Sequence, residues 1–417
     1  MIPSLLLSVL ALSAPVPAEA ANSGWVEFRG PDGSGHYTGP ALPTAWGPDT
    51  NVSWKADIPG KGWSSPILVD GKLILTTAVP VPGGAHELRA VAVSADTGKV
   101  AWDVKVFDQP ATAPKGHAKN SHASPTPVSD GERIVVHFGH MGTACLDLAG
   151  KELWQTQKYT YTPTHGNGGS PILAGDAVVF SCDGSDKQFV VALDKKTGNE
   201  LWQTDRKSAA KLAFSFATPQ LIEHDKQKQL VSAASDFVAG YDPTSGKELW
   251  RATYPKPGWS LITRPVYGHG LVFISTGYVN QHLIALRPEG TGDITEKVVW
   301  KMAKNAPNTP TPLLVGDELY VVSDYGFASC VDAKTGKVHW DQRLKGKQFS
   351  SSPILAAGKV YVTSEDGVGT VFEATKAEYK EVATSDMKEK TFATFLPADG
   401  ALYLRTETKL FKFAEKK

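Results

Sequence analysis

The sequence lacks an excess of charge of either sign. Its 417 residues contain 43 Lys and Arg against 43 Asp and Glu, so the net charge at pH 7 is zero. A balanced surface without a basic run offers no electrostatic attraction for nucleic acid or for an anionic membrane. We therefore expect neither of these partners.

Catalytic and membrane-spanning signatures are also missing. The chain contains no G-x-S-x-G, P-loop or H-E-x-x-H motif, and no apolar run long enough to span a bilayer. A short apolar stretch at residues 5–14 precedes the sequence Ala18-Glu19-Ala20, which predicts a cleaved signal peptide over residues 1–20. We expect an exported monomer, periplasmic or extracellular, with residues 21–50 as an N-terminal extension. No cysteine follows the cleavage site, so a lipid anchor is not expected.

Tryptophan, in contrast, recurs at regular intervals of 40 to 52 residues along the chain. Repeats of roughly 40–50 residues are typical of β-propellers, in which each blade is one four-stranded sheet. These positions share one place in the repeat, so we expect them to pack between blades: Trp54, Trp102, Trp154, Trp202, Trp250, Trp300 and Trp340.

Each repeat contains signals for four strands, which we name A to D. A proline marks the start of strand A, where its missing N–H is tolerated: Pro66, Pro125, Pro171, Pro219, Pro265, Pro312 and Pro353. A Gly-containing turn, a small-aliphatic-Asp column and a Thr-Gly or Ser-Gly turn follow before the tryptophan. Seven units are clear, and residues 392–413 form an eighth that has no strand D. Because residues 51–58 contain Trp54 without strands before it, we predict that this segment supplies the missing strand. The sequence thus predicts an all-β, eight-bladed propeller over residues 51–417.

The three cysteines are interpreted from this register. An odd number in an exported chain raises the question of a free reactive thiol. Cys145 and Cys330, however, occupy the same column as Ala92 and Ala192, where a small buried residue is required, so we predict core positions for both. Cys182 lies at the end of a strand B, outside this column.

The segment from Cys330 to Trp340 resembles the tryptophan-docking repeat of quinoprotein-type propellers. That superfamily includes the PQQ-dependent alcohol dehydrogenases and the BamB subunit of the outer-membrane β-barrel assembly machinery. The resemblance extends from residue 51 to the C-terminus and implies the propeller fold. For the dehydrogenases it would also imply PQQ, a calcium ion held by Glu, Asn and Asp, and a disulfide between adjacent cysteines. No two cysteines are adjacent here and no ligand residue can be matched, so we transfer neither PQQ nor calcium.

Functional residues in such a propeller are expected on the face that carries the D–A and B–C loops, because loops on a rigid scaffold commonly carry binding sites. In this chain those loops are polar and aromatic, and they differ from blade to blade. The predicted ligand-binding residues are His117, Asn120, His122, His165, Asn167, Asp183, Asp186, Asp236, Trp259, Arg264, Tyr278, Asn308, Asp324, Tyr325, Glu365 and Asp366.

The segment Gly116–His122 is the sharpest local motif on this face. His117 and His122 are candidate metal ligands, with Asp183 or Asp186 from the next blade, because His and carboxylate together suit zinc or another transition metal. The two histidines match no known ligand spacing, so hydrogen bonding or contact with a partner is the competing interpretation.

Three functions remain open from the sequence. The first is a non-catalytic binding module that takes a protein, peptide or carbohydrate at the funnel face. The second is a quinoprotein-like or metal-dependent enzyme that uses the same face. The third is a scaffold without a small-molecule site, as the resemblance to the assembly-machinery subunit implies.

Overall fold

The computed structural model describes residues 24–254, 256 and 258–415. They form eight blades, each with four antiparallel strands in which A is innermost and D is outermost, arranged as a β-propeller. The predicted fold is therefore confirmed. The predicted signal peptide lies outside the described residues. Within the described part of the chain, no helix is long and apolar enough to cross a membrane.

The first four blades follow one another along the chain. Blade 1 contains Ile67–Val69, Lys72–Pro80, His86–Ser94 and Val100–Gln109. Blade 2 contains Val128–Ser129, Arg133–His137, Thr143–Asp147 and Glu152–Thr156. Blade 3 contains Ile172–Ala174, Ala177–Asp183, Gln188–Asp194 and Glu200–Asp205. Blade 4 contains Gln220–His224, Gln227–Ala233, Phe237–Tyr241 and Glu248–Thr253.

The other four blades complete the ring. Blade 5 contains Val266–Gly268, Leu271–Ser275, Leu283–Leu286 and Val298–Met302. Blade 6 contains Leu313–Val315, Glu318–Val322, Phe327–Asp332 and Val338–Arg343. Blade 7 contains Ile354–Ala356, Lys359–Thr363, Val368–Glu373 and Glu381–Asp386. Blade 8 contains Leu396–Ala398, Ala401–Arg405, Lys409–Phe413 and, as strand D, Val52–Asp57.

Two further short strands and four 3-10 helices lie outside this scheme. His36–Tyr37 pairs in parallel with blade 7, and Gly292–Asp293 pairs in parallel with the outer strand of blade 4. The 3-10 helices are Pro31–Gly33, Pro82–Gly84, Gly139–Met141 and Thr295–Lys297.

The ring closes as the sequence predicts. Val52–Asp57 pairs antiparallel with Lys409–Phe413, so the N-terminal strand completes blade 8. Closure in this way pairs the edge of strand C in blade 8 that would otherwise be open.

The tryptophans join neighbouring blades. Six of them donate the indole N–H to a backbone carbonyl in the C–D turn of the next blade, at 2.9–3.1 Å: Trp54, Trp102, Trp154, Trp202, Trp300 and Trp340. In five of these junctions the ring also covers the glycine of that turn. Each indole thus buries its apolar face and pairs its polar atom within one contact.

The small-residue column has a direct steric reason. Its residues lie opposite the tryptophan of the same blade in the C–D ladder, as Cys145 does to Trp154 and Cys330 to Trp340. Both cysteines are buried, and burial raises the pKa of each thiol to about 12. Cys182 is also buried, in the core between blades 2 and 3. All three are free thiols, placed in the core as predicted for Cys145 and Cys330.

Two details differ from the expected register. Strand A of blade 2 begins at Val128, so Pro127 and not Pro125 marks its start. Trp250 bonds to Gln229 of its own blade at 2.7 Å, because the Gly292–Asp293 strand occupies the edge beside it. The turn it would contact has been replaced by an insertion in blade 5, which the repeat pattern alone did not reveal.

The docking contact predicts a difference between two glycines of blade 3. Both have a positive φ, 73° at Gly198 and 65° at Gly175. A Cβ on Gly198 would lie 2.6 Å from the ring of Trp154, whereas a Cβ on Gly175 would meet nothing within 4 Å. We expect Gly175→Ala to lower the free energy of unfolding by about 1 kcal/mol through backbone strain alone. Gly198→Ala should lower the free energy of unfolding by about 1–3 kcal/mol more, because its Cβ would overpack against the indole.

Chemical denaturation of both variants measures this difference. Equal losses of stability would contradict the proposed contribution of the indole contact.

Candidate functional site

The segment 24–37 lies inside the ring and closes its channel. Its backbone carbonyls accept hydrogen bonds from the innermost strands of blades 1, 2 and 7, at 2.8–2.9 Å, through Trp25, Val26 and Gly35. Residues 24–37, part of the N-terminal extension predicted over residues 21–50, are therefore packed within the propeller. We call residues 24–37 the plug.

Two buried arginines hold the plug in place. Arg264 of blade 5 donates to the carbonyl of Phe28 at 2.7 Å and pairs with Glu27 at 2.9 Å. Arg29 of the plug donates to four carbonyls, two of them in blade 6 at Thr311 and Pro312. Burial and the nearby charge of Arg264 lower the pKa of Arg29. The plug thus depends on a built polar network and not on apolar packing alone.

A ring of hydroxyl groups surrounds the channel just above the plug. In seven blades the residue two positions before strand A is Ser or Thr, and its hydroxyl accepts a hydrogen bond from a backbone N–H of the preceding blade at 2.9–3.0 Å. We call these residues the collar: Ser65, Thr126, Ser170, Thr218, Thr311, Ser352 and Thr394. Blade 5 has Arg264 at this position, so the one interruption of the collar is the residue that holds the plug.

A cavity of about 420 Å³ lies above the plug, with Phe28 and all seven collar residues in its lining. Pockets of roughly 300–1,000 Å³ are typical for small-molecule ligands. The channel of this propeller is therefore a blind cavity that opens on the face of the D–A and B–C loops.

The cavity has two kinds of wall at the level above the collar. Trp63 and Phe392, from the loops entering blades 1 and 8, meet edge to face with ring centroids 4.4 Å apart. Phe216 and Ile262 line the cavity from the loops entering blades 4 and 5. Blades 1 and 8 lie opposite blades 5 and 4 in an eight-membered ring, so the two apolar walls face each other.

The two sides between these walls are polar. The corresponding residues are Ser124 and Gly168 at blades 2 and 3, and Thr309 and Ser350 at blades 6 and 7. The cross-section of the cavity therefore alternates between apolar and polar sides, and the polar sides also face each other.

A long loop between blades 1 and 2 reaches over the mouth of the cavity. Its Lys119 pairs with Glu365 of blade 7 at 2.9 Å, while the backbone N–H of His117 and the side chain of Asn120 both bond to the carbonyl of His165. The loop thus spans the opening from blade 3 to blade 7.

Few charges face the cavity. Lys119 is paired with Glu365, and Asp324 accepts hydrogen bonds from Asn308 and Thr309, at 2.7 Å for the shortest. Burial raises the pKa of Asp324, and burial together with His117 lowers the pKa of His165. The lining is therefore close to neutral.

The structure brings seven of the sixteen predicted site residues to the cavity: His117, Asn120, His165, Trp259, Tyr278, Asn308 and Asp324. Trp259 and Tyr278 form an isolated β-bridge with ring centroids 6.3 Å apart, above the wall of blade 5. Glu365 lies at the rim, where it holds Lys119.

The other eight lie elsewhere. Asp183 forms a buried ion pair with Arg206 at 2.7 Å, and Arg264 holds the plug below the collar. Asn167 supports a neighbouring loop by donating to the carbonyl of Phe138. Tyr325 is exposed. Three carboxylates accept hydrogen bonds from a neighbouring segment at 2.6–3.1 Å: Asp186, Asp236 and Asp366.

His122, the last of the eight, does not meet His117. His122 contacts Gln109 at 2.9 Å and the ring of His86, whereas His117 lies beside His165. Among the described residues, no group of three or more His, Cys, Asp or Glu could hold a metal ion.

Sequence reasoning did not identify the collar, the plug or the wall residues Trp63 and Phe392. A signal for the collar is present, because Ser-Pro or Thr-Pro recurs at strand A, as in Ser170-Pro171 and Thr311-Pro312. The proline of each pair sets the register of the repeat, and the hydroxyl residue before it forms the collar. No repeat marks the plug, since its contacts join residues that are far apart in the chain.

The residues of the cavity do not fit PQQ with calcium. PQQ is an anionic quinone, and the lining offers Lys119 as its one lysine or arginine, already paired. Calcium prefers six to eight oxygen ligands, several of them carboxylate. Asp324 is the one carboxylate in the lining, and both its oxygens already accept hydrogen bonds.

The repeats, the docked tryptophans and the closed ring define a quinoprotein-type propeller. A family model described as "Outer membrane protein assembly factor BamB" matches residues 37–181, 87–289 and 280–380. These matches cover most of the chain, which therefore belongs to this family.

Solved structures show the same fold. BamB from Moraxella catarrhalis has a TM-score of 0.60 at 13% identity, over 87% of this chain and 99% of that one. The computationally designed Ika8 protein has a TM-score of 0.58 at 11% identity, over 86% and 99%. Quinohemoprotein alcohol dehydrogenase from Comamonas testosteroni has a TM-score of 0.52 at 12% identity, over 96% of this chain and 82% of that one. No curated protein sequence matches the chain. At these identities the likeness concerns the fold and not the site.

The contacts of the plug predict that completing the collar with an eighth hydroxyl lowers the stability of the protein. Arg264→Thr supplies the missing eighth hydroxyl but leaves Glu27 and the carbonyl of Phe28 without their donor. We expect a loss of about 3 kcal/mol in the free energy of unfolding. The double variant Glu27→Gln/Arg264→Thr should lose less than the two single losses together, because the two side chains interact.

Denaturant unfolding of the three variants tests this double-mutant cycle. Lys304→Thr, which breaks an exposed ion pair with Asp341, is the control and should change stability by less than about 1 kcal/mol. Wild-type stability of Arg264→Thr would show that the plug does not depend on this residue.

Proposed function

We propose that this protein is an exported, non-catalytic binding module that holds a ligand, or the projecting part of a protein partner, in the funnel cavity. The observation that carries the proposal is the cavity itself, a blind chamber of about 420 Å³ in the centre of a rigid ring. A chamber closed by a plug can retain a ligand that a through-channel would release.

The chemistry of the lining supports binding over catalysis. Its charged groups are paired or hydrogen-bonded within the protein, as for Lys119 and Asp324. A general base needs a free lone pair within reach of the substrate proton, and both oxygens of Asp324, the carboxylate of the lining, already accept hydrogen bonds. Aromatic and hydroxyl groups, which dominate this lining, supply contact area and hydrogen bonds.

The family supports export and a macromolecular partner. Its model is described as an assembly factor of outer membrane proteins, which favours action outside the cytoplasm and a protein partner. Exposed apolar side chains at or next to lining residues, Tyr278, Val279 and Tyr325, are suited to such a partner.

Affinity capture tests the proposal. Immobilised wild-type protein is exposed to an extract of the cells that produce it, alongside Trp259→Ala/Tyr278→Ala at the mouth and Leu201→Ala on an outer strand. Leu201 is 51% exposed, belongs to the outermost strand of blade 3 and does not line the cavity. We expect a molecule retained by the wild type and by Leu201→Ala but lost from the mouth variant. A molecule retained equally by all three would place binding outside the funnel.

The enzymatic alternative makes a separate prediction. A cofactor at one hundred times its Kd would stabilise the protein by about 2.7 kcal/mol. Because the lining does not fit PQQ, we expect PQQ with calcium to leave the melting temperature unchanged and to support no dye reduction with alcohols or sugars. A PQQ-dependent alcohol dehydrogenase is the positive control. A raised melting temperature together with dye reduction would overturn the non-catalytic proposal.

A further inference from the structure

We propose that the ligand of the funnel cavity is a neutral carbohydrate, which enters with a sugar ring between the two apolar walls. The inference rests on the proposed binding function and names the chemical class of its ligand. It follows from three properties of the lining: unused donors, an unused acceptor, and the alternation of apolar and polar sides.

The collar provides the donors. A hydroxyl group has one O–H donor and two acceptor positions. Each collar hydroxyl accepts a backbone N–H, and within the described residues none of the seven donates a hydrogen bond. All seven are at most 4% exposed and line the cavity. Seven O–H groups without an acceptor therefore indicate that the cavity holds a ligand, or water, with several hydrogen-bond acceptors.

Asn308 provides the acceptor. Its side chain is 3% exposed and lines the cavity, yet its Oδ1 has no hydrogen-bond partner among the described residues. An unpaired buried acceptor costs free energy unless a ligand donates to it. The ligand must therefore donate as well as accept hydrogen bonds, which a hydroxyl group does.

The arrangement of the walls indicates the shape of the ligand. Trp63 and Phe392 face Phe216 and Ile262 across the cavity, and the polar sides lie between them. A sugar ring has apolar C–H groups on its faces and hydroxyl groups around its edge. Placed between the walls, it would contact the aromatic groups with its faces and the serine and threonine sides with its edge.

The charges of the lining disfavour anionic ligands. The lysine of the lining is paired with Glu365, and the carboxylate of Asp324 is hydrogen-bonded. An anionic ligand such as a nucleotide or an acidic sugar would be desolvated without a free cation to balance it. A neutral polyol incurs no such cost.

Binding to a glycan array that carries neutral and acidic oligosaccharides tests the proposal, followed by calorimetric titration with each free oligosaccharide that binds. We expect neutral glycans to bind. Phe216→Ala and Phe392→Ala should each weaken binding about tenfold or more, since buried aromatic contacts commonly contribute that much. Asn308→Leu should weaken it by a similar factor.

Two variants control for loss of structure. Phe327→Ala removes a matched phenylalanine that is 36% exposed and does not line the cavity, so its affinity should remain within about twofold of wild type. Phe216→Leu keeps apolar bulk without the aromatic face and should bind more weakly than wild type at unchanged melting temperature.

Each outcome separates the two proposals. No binding of any neutral glycan, or equal affinity of wild type and Phe216→Ala, overturns the carbohydrate assignment. If affinity capture still yields a peptide or an anion that depends on Trp259 and Tyr278, the binding function stands and only the ligand class is wrong. If neither experiment yields a funnel-dependent ligand, both proposals fail.

Discussion

The packing of one indole onto the turn of the next blade is the contact on which this molecule depends. A single four-stranded blade cannot bury both of its faces, so each blade is stable only between two neighbours. The indole covers the turn and donates to its carbonyl, as Trp154 does to Lys195. The small residue opposite each tryptophan and the glycine of the turn follow from the space that this ring requires.

Closure of the ring then leaves a channel, and the exceptions to the repeat fill it. Seven blades contribute a hydroxyl to the collar. Blade 5 instead contributes Arg264, which holds the plug through Glu27 and Phe28. The junction of blades 4 and 5 also departs from the docking pattern at Trp250. Blade 7 has no tryptophan in its outer strand, and Trp46 from the N-terminal segment packs there against Tyr361 and Phe395. Irregular positions therefore carry the individual features of this propeller.

The cavity shows how a shared fold can hold different chemistry. The repeats resemble those of quinoprotein dehydrogenases, and that resemblance alone would imply a site for PQQ and calcium. Here the lining is almost neutral, and its unpaired polar groups include the O–H donors of the collar and the amide oxygen of Asn308. The collar and wall residues lie just before strand A, so they can vary from blade to blade without disturbing the tryptophan contacts.

The sequence by itself determined the fold, the blade count and the closing strand, because these depend on a pattern repeated every 40 to 52 residues. It also placed the face on which seven of its sixteen candidate residues line the cavity. Only the tertiary structure showed that Asp183 and Arg264 are used internally and that residues 24–37 form a floor. Such contacts join segments up to hundreds of residues apart, as Arg29 and Thr311 do. A local pattern specifies a strand or a turn, but it cannot specify which side chains converge when the ring closes.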